Sequence, residues 1–168
     1  MSSIQLPERF NIRVYGILID DQNRILVSDE YIRGNYFTKF PGGGLELGEG
    51  TKDCLIREFM EETGLTVCIN KHLYTTDFYQ QSAFRSSDQI ISIYYTVNCA
   101  DLSGLKTSSM PFDLSETITS DPTAAGESFR WVECEAFSSE TVHLPIDKIV
   151  AALLKKEIEY RRNTNLII

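Results

Sequence analysis

The stretch GGLELGEGTKDCLIREFMEETGL, residues 43–65 of this 168-residue chain, decides the fold. Within it Glu58, Glu61 and Glu62 lie three and four residues apart, so they share one face of a predicted helix. Gly64 is typical of a helix end, because glycine readily adopts the left-handed backbone that closes many helices. Carboxylates crowded at a helix C-terminus repel one another and the helix dipole. The pattern therefore indicates either a bound cation or, as the alternative, a solvated acidic face.

The whole stretch resembles the Nudix box, G-x5-E-x7-R-E-U-x-E-E-x-G-U, in which U is a bulky aliphatic residue. The positions that match are Gly43, Glu49, Arg57, Glu58, Glu61, Glu62, Gly64 and Leu65. Phe59 departs from the pattern, since an aliphatic residue is usual there, but it keeps the position apolar. On these residues the chain is identified as a member of the Nudix hydrolase family.

The resemblance implies an α+β fold in one domain over residues 1–168. This fold is an α/β/α sandwich in which a mixed β-sheet carries a catalytic loop-helix-loop. The resemblance also implies an enzyme that uses Mg²⁺ or Mn²⁺ to hydrolyse a nucleoside diphosphate linked to another moiety, by attack of water on phosphorus. The acidic turn fits this chemistry, because magnesium binds through carboxylates together with substrate phosphates.

The resemblance further implies roles for the box residues. The main metal ligands it implies are Glu58 and Glu62, with Glu61 as a further ligand. The backbone carbonyl of Gly42 or Gly43 is expected to join them. Arg57 and Glu49 are expected to form a supporting pair that fixes the loop against the helix, as residues behind metal ligands often do. Glu58 is the favoured general base, with Glu61 or a loop acid as the alternatives.

Residues outside the box are candidates through their position in the chain. Glu127, just before SFRWVE, is the favoured additional metal ligand, with a solvated strand end as the alternative. The weaker rivals for that role are Asp113, Glu116 and Asp121. The candidate substrate contacts, three cations and one aromatic ring, are Arg33, Lys39, Phe40 and Arg85.

Composition excludes several classes of protein. The net charge is −8 and no run of lysine or arginine occurs, so an extended nucleic acid is not expected as a partner. No apolar stretch is long enough to cross a membrane, and the N-terminus lacks a secretory pattern. The four cysteines form no CxxC pair, so free thiols and a cytoplasmic location are expected. A small nucleotide is the expected partner, and a homodimer is left open.

The pattern of apolar residues predicts a mixture of strands and helices. Strands are predicted at 11–20, 24–30, 65–79, 89–100 and 127–133. The first two are expected to pair as a hairpin, and residues 31–40 are expected to form a loop. Three consecutive glycines after Pro41 predict an irregular loop that approaches another part of the chain closely. Residues 101–126 predict a long loop, and 145–162 predict an amphipathic helix.

The substrate class is narrowed mainly by markers that the sequence lacks. No proline lies between Pro41 and Pro111, which disfavours the ADP-ribose hydrolase pattern. By elimination, the favoured activity is that of a nucleoside triphosphate pyrophosphatase acting on normal or oxidised nucleotides. ADP-ribose or sugar-nucleotide hydrolysis is the alternative. A non-catalytic nucleotide-sensing domain is a second alternative, but such domains usually lose box glutamates that are present here.

Overall fold

Seven strands and two helices make up the described part of the chain, residues 6–115 and 125–164 of the computed structural model. The strands are β1 (Arg9–Leu18), β2 (Arg24–Ile32), β3 (Asn35–Lys39), β4 (Gly42–Gly44), β5 (Val67–Thr75), β6 (Asp88–Cys99) and β7 (Gly126–Glu133). The helices are α1 (Thr51–Thr63) and α2 (Pro145–Asn163). The strands form a mixed sheet of order β4-β1-β6-β5 and an antiparallel sheet of order β3-β2-β7. Within the mixed sheet, β1 and β6 run parallel.

The two helices pack on opposite sides of the strands. Adjacent residues of β1, Val14 and Tyr15, belong to two different apolar clusters, because successive side chains of a strand point to opposite faces. The cluster around Val14 includes Phe59 of α1, whereas the cluster around Tyr15 includes Leu154 of α2. The α+β class and the α/β/α arrangement predicted from the sequence are therefore confirmed.

The prediction that β1 and β2 form a hairpin is wrong. They belong to different sheets, and an isolated bridge joins Ile19, the residue after β1, to Ile25 of β2. The reason is that β1 is already paired with β4 on one edge and with β6 on the other. A turn held by the Asp20–Arg24 ion pair, 2.6 Å, instead directs β2 into the second sheet.

Residues 31–44 contain two strands where loops were predicted. Strand β3 pairs with β2 across a two-residue turn, in which Arg33 and Gly34 both have positive φ, 50° and 84°. Turns of this kind match the twist of a hairpin, but an arginine in the first position hides the usual sequence signal. The three glycines form β4, whose pairing is supplied by the backbone of β1.

Helix α1 ends where the sequence predicted its end. At its start, Gly50 is the N-cap, and its N–H donates to the carboxylate of Asp53 at 3.3 Å. At the other end, Gly64 has a φ of 71° and its N–H donates to the carbonyl oxygen of Met60. The left-handed end predicted at Gly64 is therefore present. Because the helix ends there, Glu58, Glu61 and Glu62 lie on its last two turns.

The remaining predictions concern the long loop, the cysteines and the membrane. Residues 116–124, which include Glu116 and Asp121, lie outside the described residues. Asp113 binds the hydroxyls of Ser108 and Ser115, at 3.0 and 2.8 Å. All four cysteines are free thiols. Within the described residues, neither helix has the length and apolarity needed to cross a membrane.

Candidate active site

Arg57 ties helix α1 to the loop that precedes it. Its guanidinium binds both oxygens of Glu49, with Nη2 2.7 Å from Oε1 and Nε 3.1 Å from Oε2. Nη2 also donates to the carbonyl oxygen of Gly44 at 3.0 Å. Nη1 donates to Glu58 at 2.9 Å and to Glu61 at 3.2 Å. One arginine therefore holds the loop in place and offsets the repulsion between two glutamates of α1.

Strand β4 brings its backbone against the carboxylate of Glu58. A Cβ atom on Gly43 would lie 2.4 Å from Cδ and from Oε2 of Glu58, which is closer than atoms can approach. Gly42 has a φ of 129°, and a Cβ there would lie 2.2 Å from the carbonyl oxygen of Val14. Gly42 therefore requires glycine, because its φ is positive and its backbone lies against that of β1. A side chain at position 43 would instead displace the Glu58 carboxylate.

Three carboxylates from three different elements meet beside α1. Glu30 of β2, Glu62 of α1 and Glu127 of β7 place carboxylate oxygens within 4.8 Å of one another. Glu30 and Glu127 are direct cross-strand partners, a pairing of like charges that destabilises a sheet. We call these three residues the acidic cluster.

The pKa values of the acidic cluster reflect this crowding. Burial raises the pKa of Glu62 above its ordinary value, although the ammonium of Lys39 opposes this. Burial and the nearby charge of Glu62 raise the pKa of Glu127 to about 7, while Lys39 and a hydrogen bond from Ser28 act in the opposite direction. Positive charge near the cluster therefore favours its ionised form.

Lys39 supplies such a charge. Its Nζ lies 2.8 Å from Oε1 of Glu30, 3.9 Å from Oε1 of Glu62 and 2.9 Å from the carbonyl oxygen of Gly42. Only 4% of the Lys39 side chain is exposed. Burial would lower the pKa of this ammonium, but attraction to Glu30 and Glu62 raises it above the ordinary value. Lys39 is therefore a buried, charged partner of the acidic cluster.

The oxygen atoms around Lys39 suit a hard divalent cation as ligands. Mg²⁺ and Mn²⁺ prefer carboxylate and carbonyl oxygens to nitrogen or sulfur. The acidic cluster and the Gly42 carbonyl supply oxygens of both kinds, and they already surround one positive charge. The residues present therefore fit the cation that the sequence predicts, without indicating which of the two metals is used.

A cavity of about 330 Å³ opens beside the acidic cluster. Glu30, a member of the cluster, and Lys39, which contacts it, both line the cavity. The cavity and the acidic cluster are therefore continuous. The volume of the cavity is within the range of small-molecule sites. The rings of Phe37 and Phe84 form part of its wall, with centroids 5.3 Å apart and nearly perpendicular planes. The arrangement places an apolar compartment next to a charged one.

The predicted substrate contacts fall in two places. Lining the cavity are Arg33, Lys39 and Arg85. Phe40 does not line it, because its ring is fully buried and packs against Tyr94 and Phe137. The chain turns the Phe40 side chain into the core at the end of β3, away from the cavity that the three predicted cations line.

The predicted metal ligands also divide into two groups. Glu62 and Glu127 lie in the acidic cluster. Glu58 is 14% exposed and Glu61 is 60% exposed, and both contact Arg57. Gly43 lies against the Glu58 carboxylate. Of the five predicted ligands, Glu62 and Glu127 therefore lie together with Glu30. The other three, Glu58, Glu61 and Gly43, lie on the adjacent face of α1 and β4.

Glu30 and Arg13 were missed by the reasoning from sequence. Arg13 lines the cavity, and its Nε donates to the hydroxyl of Tyr15 at 2.6 Å. Glu30 lies two residues after the buried Ser28 on the same face of β2. For Arg13 the available signal was its alternation with Tyr15 on one face of β1. Glu30 gave no such signal, because the burial of Ser28 is visible only in the structure.

Replacing Gly43 by alanine is expected to reduce turnover by about 100-fold or more, because the new methyl group displaces the Glu58 carboxylate. Gly44→Ala is the matched control, since a Cβ there would meet only Nη1 of Arg13, at 3.9 Å. Steady-state kinetics of the two variants provide the measurement. Equal losses in both would show that the space beside Glu58 is not what matters.

Replacing Glu49 by glutamine is expected to lower the melting temperature at pH 7. Hydrogen bonds from Arg57 lower the pKa of Glu49 from its ordinary 4.5 to about 2. A lowered pKa stabilises the fold above pH 4.5, and this contribution is lost as the pH falls toward 2. The difference in melting temperature between wild type and Glu49→Gln should therefore narrow as the pH falls from 4.5 toward 2, in melting curves without metal. Glu46→Gln, which changes an exposed acid of the same loop, is the control. A difference in melting temperature between Glu49→Gln and wild type that stays constant with pH would contradict the expectation.

Comparison with known proteins agrees with this geometry. The model of the NUDIX domain family matches residues 9–153. Similar solved structures include the MutT protein from Methanosarcina mazei Go1, at 17% identity and a TM-score of 0.63 over 94% of this chain and 99% of that one. A NUDIX hydrolase from Nitrosomonas europaea has 16% identity and a TM-score of 0.61 over 88% and 89%.

A UDP-X diphosphatase is also similar, at 15% identity and a TM-score of 0.55 over 94% of this chain and 66% of that one. At these identities the structural likeness shows the fold alone. No curated protein matches the sequence.

Proposed function

Because this chain belongs to the NUDIX family, whose enzymes act on pyrophosphate bonds, we propose that it hydrolyses nucleoside triphosphates to a nucleoside monophosphate and pyrophosphate. The proposal includes a requirement for Mg²⁺ or Mn²⁺. It covers normal and oxidised nucleotides, because the chemistry at phosphorus is the same for both.

The observation that carries the proposal is the continuity between the cavity and the acidic cluster. A nucleotide has an aromatic base at one end and a chain of phosphates at the other. The cavity offers the rings of Phe37 and Phe84 in one part and the ammonium of Lys39 in another. A base in the cavity would therefore place its phosphates beside the acidic cluster.

The acidic cluster would hold the cation, with Glu58, Glu61 and the Gly43 carbonyl as further proposed ligands. When bound, a divalent cation neutralises phosphate charge and lowers the pKa of a water molecule. The anionic cluster would otherwise repel a triphosphate, which accounts for a metal requirement in a chain with a net charge of −8.

Glu58 is the proposed general base. In the reaction, the oxygen of water attacks phosphorus, the P–O bond to the leaving pyrophosphate breaks, and Glu58 takes the proton that the water releases. Arg57 and Gly43 hold the Glu58 carboxylate from two sides. Arg13 and Lys39 present positive charge at the boundary between the cavity and the cluster, where they would orient the phosphates.

The proposal is tested by a turnover screen with Mg²⁺ and Mn²⁺. The panel contains the common nucleoside triphosphates, 8-oxo-dGTP, ADP-ribose and UDP-sugars, with Glu58→Gln as the blank. Release of pyrophosphate from triphosphates, absent in the blank, is the expected result. Turnover only of ADP-ribose or UDP-sugars would replace the proposal with the alternative predicted from the sequence. Nucleotide binding without any turnover would indicate a sensor.

A further inference from the structure

We propose that Asp29 is a positioning residue, which sets the spacing of the acidic cluster from the opposite face of the sheet of order β3-β2-β7. Through this spacing it determines how tightly the cluster binds a divalent cation. The proposal rests on the proposed function, because it concerns the cation that the cluster would hold. It adds a residue that lies behind the cluster and outside the lining of the cavity.

The acidic cluster opposes the strand pairing that forms it. Glu30 of β2 and Glu127 of β7 are direct cross-strand partners, and like charges at such positions push the strands apart. Mg²⁺ tolerates little change in the spacing of its ligands, because it requires a nearly ideal octahedron of oxygens at about 2.1 Å. A cation site between these strands therefore needs a contact that holds β2 and β7 together.

Asp29 joins all three strands of the sheet behind the cluster. It directly precedes Glu30, so its side chain points to the opposite face, where it is fully buried. Oδ2 accepts from Nε of Arg130 on β7 at 2.5 Å, and Oδ1 accepts from Nη2 at 3.3 Å. Oδ1 also accepts from the hydroxyl of Thr38 on β3 at 2.6 Å. The backbone N–H of Phe112, between β6 and β7, donates to Oδ2 at 3.2 Å.

The residues that Asp29 joins are neighbours of the acidic cluster along each strand. Glu30 directly follows Asp29, and Lys39 directly follows Thr38, so the Cα atoms of each pair are about 3.8 Å apart. On β7, Glu127 lies three residues before the arginine that Asp29 binds. A shift of the strands at Asp29 would therefore move the charged groups on the other face.

The ion pair of Asp29 and Arg130 is better explained by geometry than by stability. Burying two opposite charges costs about as much as their attraction returns, so apolar replacements of buried pairs are often equally stable. An arginine that binds a carboxylate through two nitrogens fixes both distance and orientation. The pair therefore holds β7 at a defined position against β2, which an apolar contact would not do.

The test measures binding of Mn²⁺ by titration calorimetry, without nucleotide, in wild type and in Asp29→Asn. Asparagine keeps the size of the side chain but loses its charge and one acceptor, so β2 and β7 yield to the repulsion between Glu30 and Glu127. The affinity for Mn²⁺ is expected to fall by about 10-fold or more, the scale on which residues behind metal ligands act. Melting curves in EDTA show whether the variant is folded at the temperature of the titration.

Asp20→Asn is the matched control. The Asp20 side chain is also nearly buried, 4% exposed, and binds an arginine, Arg24, at 2.6 Å. Arg24 lies six residues before Glu30 on β2, which is about 20 Å at the rise of a strand. Asp20→Asn should therefore lower the melting temperature and leave the affinity for Mn²⁺ unchanged.

Two milder variants decide the question if Asp29→Asn does not fold. Thr38→Val keeps the ion pair and removes one hydrogen bond to Asp29. Arg130→Lys keeps the charge and loses the binding through two nitrogens. Both should fold and bind Mn²⁺ more weakly than wild type. Unchanged affinity in both would overturn the proposal.

A folded Asp29→Asn that binds Mn²⁺ within about 2-fold of wild type would likewise overturn the proposal. So would an equal loss of affinity in Asp20→Asn, which would show that a general loss of stability is responsible. Failure of the proposed function looks different, because wild type would then bind Mn²⁺, with the expected losses in the variants, while no triphosphate is hydrolysed. A wild type that binds no Mn²⁺ would overturn both.

Discussion

Replacing Glu58 by glutamine is expected to reduce kcat by about 1,000-fold, the scale on which a positioned general base contributes to catalysis. Glutamine keeps an oxygen that can accept from Arg57, 2.9 Å away in the wild-type protein, and it fills nearly the same space beside Gly43. It lacks the ionised oxygen that takes a proton from water. The fold should therefore survive while turnover is lost, and steady-state kinetics with thermal melting would show both.

Glu159→Gln, an exposed acid on α2, is the matched control for the loss of one negative charge. Glu61→Gln is the informative comparison, because Glu61 shares Arg57 with Glu58 but is 60% exposed. A kcat for Glu58→Gln within about 10-fold of wild type would remove Glu58 from the role of base. A larger loss in Glu61→Gln than in Glu58→Gln would reassign that role to Glu61.

The parts of the site that could be predicted from sequence lie within one short stretch. Glu49, Arg57 and Glu58 are at most nine residues apart, and a helix of known period fixes how they face one another. The left-handed end at Gly64 was likewise a local property of the chain. Local spacing and helix geometry therefore sufficed for the loop and for α1.

The acidic cluster could not be assembled in the same way. Glu30 and Glu127 are 97 residues apart in sequence and become neighbours through the register of β2 against β7. That register depends on β2 leaving β1 for the second sheet, whereas the sequence suggested a hairpin of β1 and β2. Once β2 is placed wrongly, Glu30 appears as an ordinary polar strand residue. Pairing between distant strands is therefore what the sequence alone does not determine.

Asp147 illustrates the same limit on the other side of the sheet. Its position in the first turn of a helix has an obvious local explanation, since an acid there is favourable to the helix dipole. Only the packing of α2 against β6 shows that the carboxylate contacts Tyr94 and lines the cavity. An adequate local explanation therefore conceals contacts that depend on tertiary packing.

Replacing Lys39 by methionine is expected to reduce the free energy of unfolding of the metal-free protein by about 3 kcal/mol, the scale for removing one partner of a buried ion pair. Methionine fills much of the space of the lysine stem but leaves Glu30 and Glu62 without their nearest cation. Denaturation in EDTA measures the loss. Lys52→Met, an exposed position on α1, is the matched control and should remain within about 0.5 kcal/mol of wild type.

Addition of Mg²⁺ distinguishes this explanation from a simple packing defect. If Lys39 balances the charge of the acidic cluster, a divalent cation should replace it there and restore most of the lost stability. The same variant should bind Mg²⁺ more tightly than wild type in calorimetry, because binding no longer competes with the ammonium. A packing defect would persist at saturating Mg²⁺ with unchanged affinity. That result would show that Lys39 is held by its aliphatic stem and that its charge is incidental.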